Sequence, residues 1–183
     1  FPDGFRFPAI LENGNEWMTL TPVDLDTCED AIAAAHGRVI TFGLGLGYYA
    51  FMVSEKESVE SITVIEKSEK VIELFKKYVL PCFSHPEKVR VICADAFEFA
   101  EKEAPKRNYD YIFADIWHDP SDGLEMYLRL RRAEKKKFHR GLTRFHQKAE
   151  KERTEWISIS FSLLFYRKLR ICNTNAVYPL FLR

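Results

Sequence analysis

The sequence has few cysteines and no long apolar segment. No stretch approaches the roughly 18 consecutive apolar residues of a membrane-spanning helix. The first residues, FPDGFRF, lack the basic-then-apolar order of a signal peptide. The four cysteines lie far apart and form no C-x-x-C pair, so neither a disulfide framework nor a zinc ribbon is indicated. We therefore expect a cytoplasmic protein that has no membrane contact and no bound metal.

The chain also has no net charge, although the charges are unevenly distributed. It carries 27 basic and 27 acidic side chains in 183 residues. Residues 1–128 hold 12 basic and 23 acidic side chains, whereas residues 129–183 hold 15 and 4. The length and the hydrophobic content of 46% suit one folded domain across 1–183. We divide it into a hairpin (5–20), a core (38–128) and a basic C-terminal extension (129–183).

Local signals predict a β-hairpin followed by alternating helices and strands. Asn13-Gly14 lies between two apolar stretches, and both residues tolerate positive φ. Thr21-Pro22-Val23-Asp24 is typical of a helix start, and Gly37 predicts the end of that helix. The core then alternates between predicted strands (38–42, 61–66, 88–93, 109–114) and predicted helices (from Tyr48, 68–80, 96–103).

This alternation predicts an α/β fold, with a Rossmann-like, doubly wound and mostly parallel sheet. The C-terminal residues give weaker signals. Residues 156–165 alternate apolar residues with serine, which favours a strand, but the apolar end of this segment also suits a buried helix. We leave the structure of residues 154–183 open and expect a shortened or rebuilt C-terminal part.

Three glycines follow the first strand of the core. Gly43, Gly45 and Gly47 separate this strand from the helix predicted at Tyr48. Glycine lets the backbone turn sharply and approach a ligand without a Cβ, and it directs free amides towards the start of the next helix. The glycines predict either a nucleotide-binding loop or a tight strand-to-helix turn. Tyr48 and Tyr49 fit a lining of the same site or packing in the core.

Three acids lie at or just after the ends of the other core strands. Glu66 ends the second strand, 19 residues after Gly47, the spacing at which an acid reaches the ribose in nucleotide-binding units. Asp95 follows the third strand and Asp115 the fourth. Ligands of open α/β sheets bind at the carboxyl ends of the strands, so the glycines and these acids are expected to converge on one crevice.

The glycine loop and these acids resemble class I S-adenosylmethionine-dependent methyltransferases, in particular the spermidine-synthase-like branch, which the N-terminal hairpin favours. The resemblance covers roughly residues 5–128. It implies that residues 38–128 form a nucleotide-binding core, in which the three glycines cradle the methionine end of the cofactor, S-adenosyl-L-methionine. It further implies that Glu66 holds the ribose, that Asp95 with Ala96 meets the adenine amine, and that Asp115 borders the reacting centre.

The loop after the fourth core strand departs from the pattern of that branch. Spermidine synthases carry D-x-x-D-P, whereas here Asp115 and Asp119 are one residue further apart. We therefore expect a methyltransferase, with Asp115 as the catalytic residue and Trp117, His118 and Asp119 on the substrate side. His118 beside these acids fits a general base, a metal ligand or a solvated loop.

Three other functions remain open. They are aminopropyl transfer, a non-catalytic nucleotide-fold binding module, and an NAD-dependent dehydrogenase, which residues 45–50 (G-x-G-x-x-A) allow but Asp95 disfavours. We expect a small-molecule acceptor. Residues 129–153 hold 11 basic and 3 acidic side chains, which suit RNA binding, an acidic surface or plain solvent. The sequence leaves the oligomeric state open.

Overall fold

An antiparallel hairpin begins the described part of the chain, which comprises residues 7–116, 128–130 and 180–182 of this computed structural model. Its strands are β1 (Ala9–Glu12) and β2 (Asn15–Thr19). Asn13 and Gly14 join them with φ angles of 52° and 82°. Two positive φ angles give the turn the twist that hairpin strands need, and the predicted hairpin is confirmed.

Helices and strands alternate after the hairpin, in the predicted types and order. They are α1 (Pro22–Ala34), β3 (Gly37–Phe42), α2 (Tyr48–Ser54), β4 (Val59–Glu66), α3 (Glu69–Leu74), β5 (Val89–Cys93), α4 (Ala96–Lys102) and β6 (Tyr111–Ala114).

Four parallel strands form the central sheet, in the order β5-β4-β3-β6. The chain moves outward from β3 through β4 to β5 and then returns to the other side of β3 as β6. The strand order therefore reverses between β3 and β6, and open α/β sheets bind ligands at such a switch point. The predicted Rossmann-like, parallel α/β fold is confirmed.

Side chains on the two faces of the central sheet enter different cores. On one face, Val39, Ile62 and Val64 lie in a buried cluster with residues of α1, α2 and α3. On the other face, Ile40 and Ile65 lie with residues of α4 and with Leu130. Successive strand residues point to opposite faces, so both faces are covered and the edge where the strands end is left for a site.

The start of α1 is as predicted, but its end is not. The backbone N–H and the hydroxyl of Thr21 both donate to Oδ2 of Asp24, each at 2.7 Å, and hold the first turn. The helix ends at Ala34, so the predicted end at Gly37 is wrong by three residues. Gly37 instead begins β3 with φ 61°, and its N–H donates to the carbonyl of Ser58 at 2.7 Å.

The helix predicted over 68–80 is shorter and changes geometry. Regular α3 ends at Leu74, and a π-helical turn follows at Phe75–Val79. A 3₁₀ turn at Leu80–Cys82 then contains Pro81. Proline lacks the N–H that would continue the helix, so Pro81 explains why the helical segment ends here. It does not explain the π turn. Such turns are frequent at functional sites.

Only short pieces of the C-terminal part are described. Residues 128–130 are helical, and β7 (Leu180–Leu182) pairs in parallel with β1, giving a second sheet in the order β2-β1-β7. Within the segment whose structure the sequence left open, these three residues are a strand. In the described part of the chain, no helix has the length and apolar character needed to cross a bilayer.

Candidate cofactor site

Residues 43–47, the glycine loop, connect β3 to α2 at the switch point. The φ angles of Gly43, Gly45 and Gly47 are 95°, 51° and 83°, all in the region that favours glycine. Leu44 to Gly47 form a turn, which the N–H of Gly47 closes by donating to the carbonyl of Leu44 at 2.9 Å. The backbone conformation of the loop is therefore by itself a sufficient reason for glycine at these three positions.

Each of these glycines also lies against another part of the chain. A Cβ on Gly43 would meet the backbone oxygen of Asp115, and one on Gly47 would meet the ring of Phe75. A Cβ on Gly45 would meet the side chain of Met18 on β2. Because these glycines have no side chains, other parts of the chain can pack closely against the loop. These contacts agree with the interpretation of the motif as a tight strand-to-helix turn.

Glu66 ties the end of β4 to the glycine loop. Its Oε2 accepts a hydrogen bond from the N–H of Leu44 at 3.1 Å, and its Oε1 accepts one from the N–H of Ser68 at 2.8 Å. The side chain is buried. Each carboxylate oxygen has a second acceptor position, so Glu66 can hold the loop and still accept hydrogen bonds from a ligand. The sequence predicted a ligand contact here but not this bridge.

Asp95 and Ala96 lie where α4 begins. Oδ1 of Asp95 accepts hydrogen bonds from the N–H groups of Phe97 and Glu98, both at 3.0 Å, and caps the helix. No group in the described residues donates to its other oxygen, Oδ2. An aspartate just before a helical segment is a simple sequence signal for such a cap. Our sequence analysis considered Asp95 only as a ligand contact and did not predict the cap.

Asp115 follows β6 on the other side of the switch point. Its N–H donates to the carbonyl of Phe42 at 2.9 Å, which holds it beside the glycine loop. The residue is exposed at the surface, although nearby protein atoms displace part of the water around it. This loss of surrounding water, together with the negative charge of Asp24, raises the pKa of Asp115 to about 6. Trp117, His118 and Asp119 lie outside the described residues.

Helix α1 adds an acidic and a thiol group to this region, neither of which the sequence indicated. Asp24 acts on Asp115 electrostatically. Burial raises the pKa of the Cys28 thiol, and the charges of Asp115 and Asp24 raise it further. The approach of α1 to the end of β6 is a long-range contact for which the sequence carries no local signal.

The two tyrosines after the glycine loop are packing residues. Tyr48 and Tyr49 are both buried, and the ring of Tyr49 stacks on Phe113 at a centroid distance of 4.0 Å. The Tyr49 hydroxyl has no hydrogen-bond partner among the residues that the structure describes. Burial raises the pKa of Tyr49, so this residue stays neutral.

The crevice thus combines acceptors and donors at one sheet edge. The acceptors are the carboxylates of Glu66, Asp95 and Asp115. The donors are the N–H groups of Gly45 and Leu46, which find no acceptor within the described part of the chain. A ligand with hydroxyl or amino groups at one end and a carboxylate at the other would satisfy both sets.

The fold and this crevice define a Rossmann-like α/β domain with a candidate cofactor site at the switch point of its sheet. The chain belongs to the spermine/spermidine synthase domain family, whose model matches residues 32–140. The hairpin and the first turns of α1 precede the matched residues.

Several solved structures are similar to this chain at low identity. TrmN from Thermus thermophilus shares 24% identity (TM-score 0.47; 62% of this chain, 34% of that one). Spermidine synthase from Thermotoga maritima shares 19% (TM-score 0.46; 85% and 53%). A dimethyladenosine transferase from Plasmodium falciparum shares 19% (TM-score 0.40; 59% and 36%). The chain spans between a third and about half of the length of these proteins. No curated protein matches the sequence.

Proposed function

We propose that the chain binds S-adenosyl-L-methionine in the crevice between the ends of β3 and β6, and that it transfers the methyl group to a small-molecule acceptor. The observation that carries the proposal is the Glu66 carboxylate, which is fixed to the glycine loop at the switch point and keeps acceptor positions for a ligand. Membership of the spermine/spermidine synthase domain family supports a ligand of this adenosyl type.

The polar groups of the crevice match the two ends of this ligand. Ribose hydroxyls can donate to Glu66, and the adenine amine can donate to Oδ2 of Asp95, beside Ala96. The amides of Gly45 and Leu46 suit a carboxylate, the anion that free backbone N–H groups favour. S-adenosylmethionine has this carboxylate, whereas its decarboxylated form, the aminopropyl donor, lacks it.

Electrostatics favours a sulfonium ligand over a dinucleotide. Glu66 and Asp115 place negative charge on both sides of the glycine loop, and a positively charged sulfur is attracted to such a site. The pyrophosphate of NAD would bring negative charge towards the same carboxylates. The crevice therefore supports S-adenosylmethionine over a nicotinamide cofactor.

The catalytic contribution of the chain would come mostly from positioning. When bound, the cofactor supplies a methyl group that is open to nucleophilic attack. Asp115 would orient an acceptor amine or hydroxyl and accept its proton as the methyl carbon exchanges its bond to sulfur for a bond to the acceptor. With a pKa of about 6, this carboxyl is mostly ionised at neutral pH. Its pKa is also near enough to neutral pH for efficient proton transfer.

Calorimetric titration with S-adenosylmethionine, S-adenosylhomocysteine and NAD tests the proposal. We expect heat from the two adenosyl ligands and none from NAD. Absence of heat and of a thermal shift with both adenosyl ligands at millimolar concentration would refute the proposal. Binding without turnover on any acceptor panel would favour a non-catalytic binding module.

Aminopropyl transfer is the second candidate, because the matched family is that of spermine/spermidine synthases. Parallel assays separate the two reactions. One mixture holds putrescine with decarboxylated S-adenosylmethionine, and the other holds an amine panel with labelled S-adenosylmethionine. Formation of spermidine in the first mixture would reject our choice of methyl transfer.

The proposals on partners are independent of this crevice. Most of residues 129–153 lies outside the described residues, so RNA binding through this basic segment stays a prediction, as do the division of 1–183 and the cytoplasmic location. A gel shift with RNA at low ionic strength tests the first, since phosphate contacts weaken steeply with added salt. An unshifted band at low salt would reject RNA binding.

A further inference from the structure

One side chain of the hairpin, that of Met18, lies against the glycine loop at Gly45. A Cβ on Gly45 would lie 2.7 Å from the terminal methyl of Met18 and 3.0 Å from its sulfur. The Met18 side chain therefore occupies the space that Gly45 leaves empty. Gly45 is the second residue of the turn from Leu44 to Gly47 and has φ 51°.

A β-bulge sets the direction of Met18. Ile10 on β1 pairs with Met18, but the next residue, Leu11, pairs with Glu16, so Trp17 is an extra residue on β2. Neighbouring residues of a regular strand point to opposite faces, and a bulge changes this locally. As a result, both Trp17 and Met18 pack against the same buried cluster.

The hairpin that carries Met18 is anchored in the core. Ile10 and Leu20 are 2% and 3% exposed. The N–H of Leu20 donates to the carbonyl of Pro8 at 2.9 Å, and Glu12 forms an ion pair with Lys70 at 3.5 Å. Met18 therefore contacts the glycine loop from a hairpin that has side chains of its own buried in the core.

We propose that Met18 is a positioning residue that holds the turn at Gly45 in the shape that binds the amino-acid arm of the ligand. The proposal rests on the proposed function and adds a role for the hairpin, which precedes the residues of the family match. The two amides without described acceptors, those of Gly45 and Leu46, lie in the turn that Met18 contacts. Holding them in place before binding saves the entropy of ordering the loop.

Two ligands that differ only in this arm test the proposal. S-adenosylhomocysteine carries the amino-acid arm, whereas 5′-methylthioadenosine has the same adenosine and thioether without it. We expect Met18→Ala to weaken binding of the first ligand about tenfold, through lost preorganisation. Binding of the second should change by less than about twofold. Met18→Leu preserves most of the apolar volume and should restore binding of S-adenosylhomocysteine.

Ile32→Ala is the matched control. Ile32 is also a partly buried apolar residue packed against the same cluster. It lies near the end of α1, at the opposite edge of the sheet from the glycine loop. We expect this variant to lose stability but to bind both ligands as the wild type does. Equal weakening of both ligands by Met18→Ala, or no weakening of either, overturns the role of Met18 while the proposed function stands.

Amide hydrogen exchange of the wild-type protein tests the same proposal without a variant. Bound S-adenosylhomocysteine should slow exchange in β2 around Met18, and 5′-methylthioadenosine should not. Equal exchange in β2 with and without S-adenosylhomocysteine would overturn the proposal. A wild-type protein that binds neither ligand overturns the proposed function, and the role of Met18 with it.

Discussion

Removal of the Glu66 carboxylate should destabilise the fold as well as weaken ligand binding. Glu66→Ala deletes the acceptor for the N–H of Leu44, a buried hydrogen bond, and the acceptor for the N–H of Ser68, a partly buried one. Hydrogen bonds to a charged group contribute about 1.5–3 kcal/mol each. Water can replace the carboxylate more easily at Ser68 than at Leu44.

We therefore expect a loss of about 2–4 kcal/mol in the free energy of unfolding, below the full sum of two such bonds. For a chain of this length, that loss lowers Tm by about 5–15 °C. Glu66→Gln keeps one acceptor oxygen but turns an NH₂ group towards one of the two amides. Its stability should fall between those of the wild type and the Ala variant.

Urea unfolding followed by circular dichroism measures the loss. Glu73→Ala is the control, since Glu73 is an exposed glutamate on α3 and alanine favours a helix. Its unfolding midpoint should stay close to that of the wild type. If Glu66→Ala unfolds at the wild-type urea concentration with the same slope, the bridge between Glu66 and the glycine loop does not contribute to stability, and our account of the loop is wrong.

The other predictions concern Asp115 and the end of α1. Asp115→Asn should abolish turnover in the methyl-transfer assay while the fold is retained; full turnover would remove Asp115 from catalysis. The pKa of Asp115 is about 6 in the folded protein against an ordinary 3.8, so its contribution to stability is present below about pH 4 and is lost as the pH rises through about 6. The Asn variant should lack this fall between urea titrations at about pH 4 and about pH 7, which bracket the transition, and an unchanged pH dependence would contradict the shifted pKa. Asp24→Asn should lower the pKa of Asp115 measured by carboxyl NMR, because it removes a neighbouring negative charge; an unmoved titration would refute their coupling. Nζ of Lys56 donates to the carbonyls of Ile32 and Ala33 at 2.6 and 2.7 Å, so Lys56→Met should lower the free energy of unfolding by about 1–2 kcal/mol, and an unchanged Tm would reject this cap.

Short-range signals predicted most of the fold. Asn13-Gly14 and Thr21-Pro22 act within a few residues, so a turn and a helix start can be recognised from the sequence alone. The four core strands are short β-rich runs separated by helical segments, and parallel pairing then places all their carboxyl ends at one edge. This is why the sequence alone predicts that Gly43, Glu66 and Asp115 lie at one crevice.

The contacts that shape the crevice could not be predicted in the same way. The bridge from Glu66 to Leu44 spans 22 residues. Met18 belongs to the hairpin sheet, whereas Gly45, which it contacts, lies in the loop that follows a strand of the central sheet. Such contacts depend on how the elements pack, which spacing in the sequence does not encode. The π turn at Phe75–Val79 has no glycine or proline within it to mark it.

The parallel pairing of β1 with β7 has a mechanical consequence. Ile10, Leu11 and Glu12 face Leu180, Phe181 and Leu182 in register. In parallel strands, the N-terminal end of β1 and the C-terminal end of β7 lie at opposite ends of the pair. A force that pulls the chain upstream of β1 against the chain downstream of β7 therefore runs along the strands and loads their hydrogen bonds in shear. Bonds loaded in this way must break together, whereas peeling would break them one at a time.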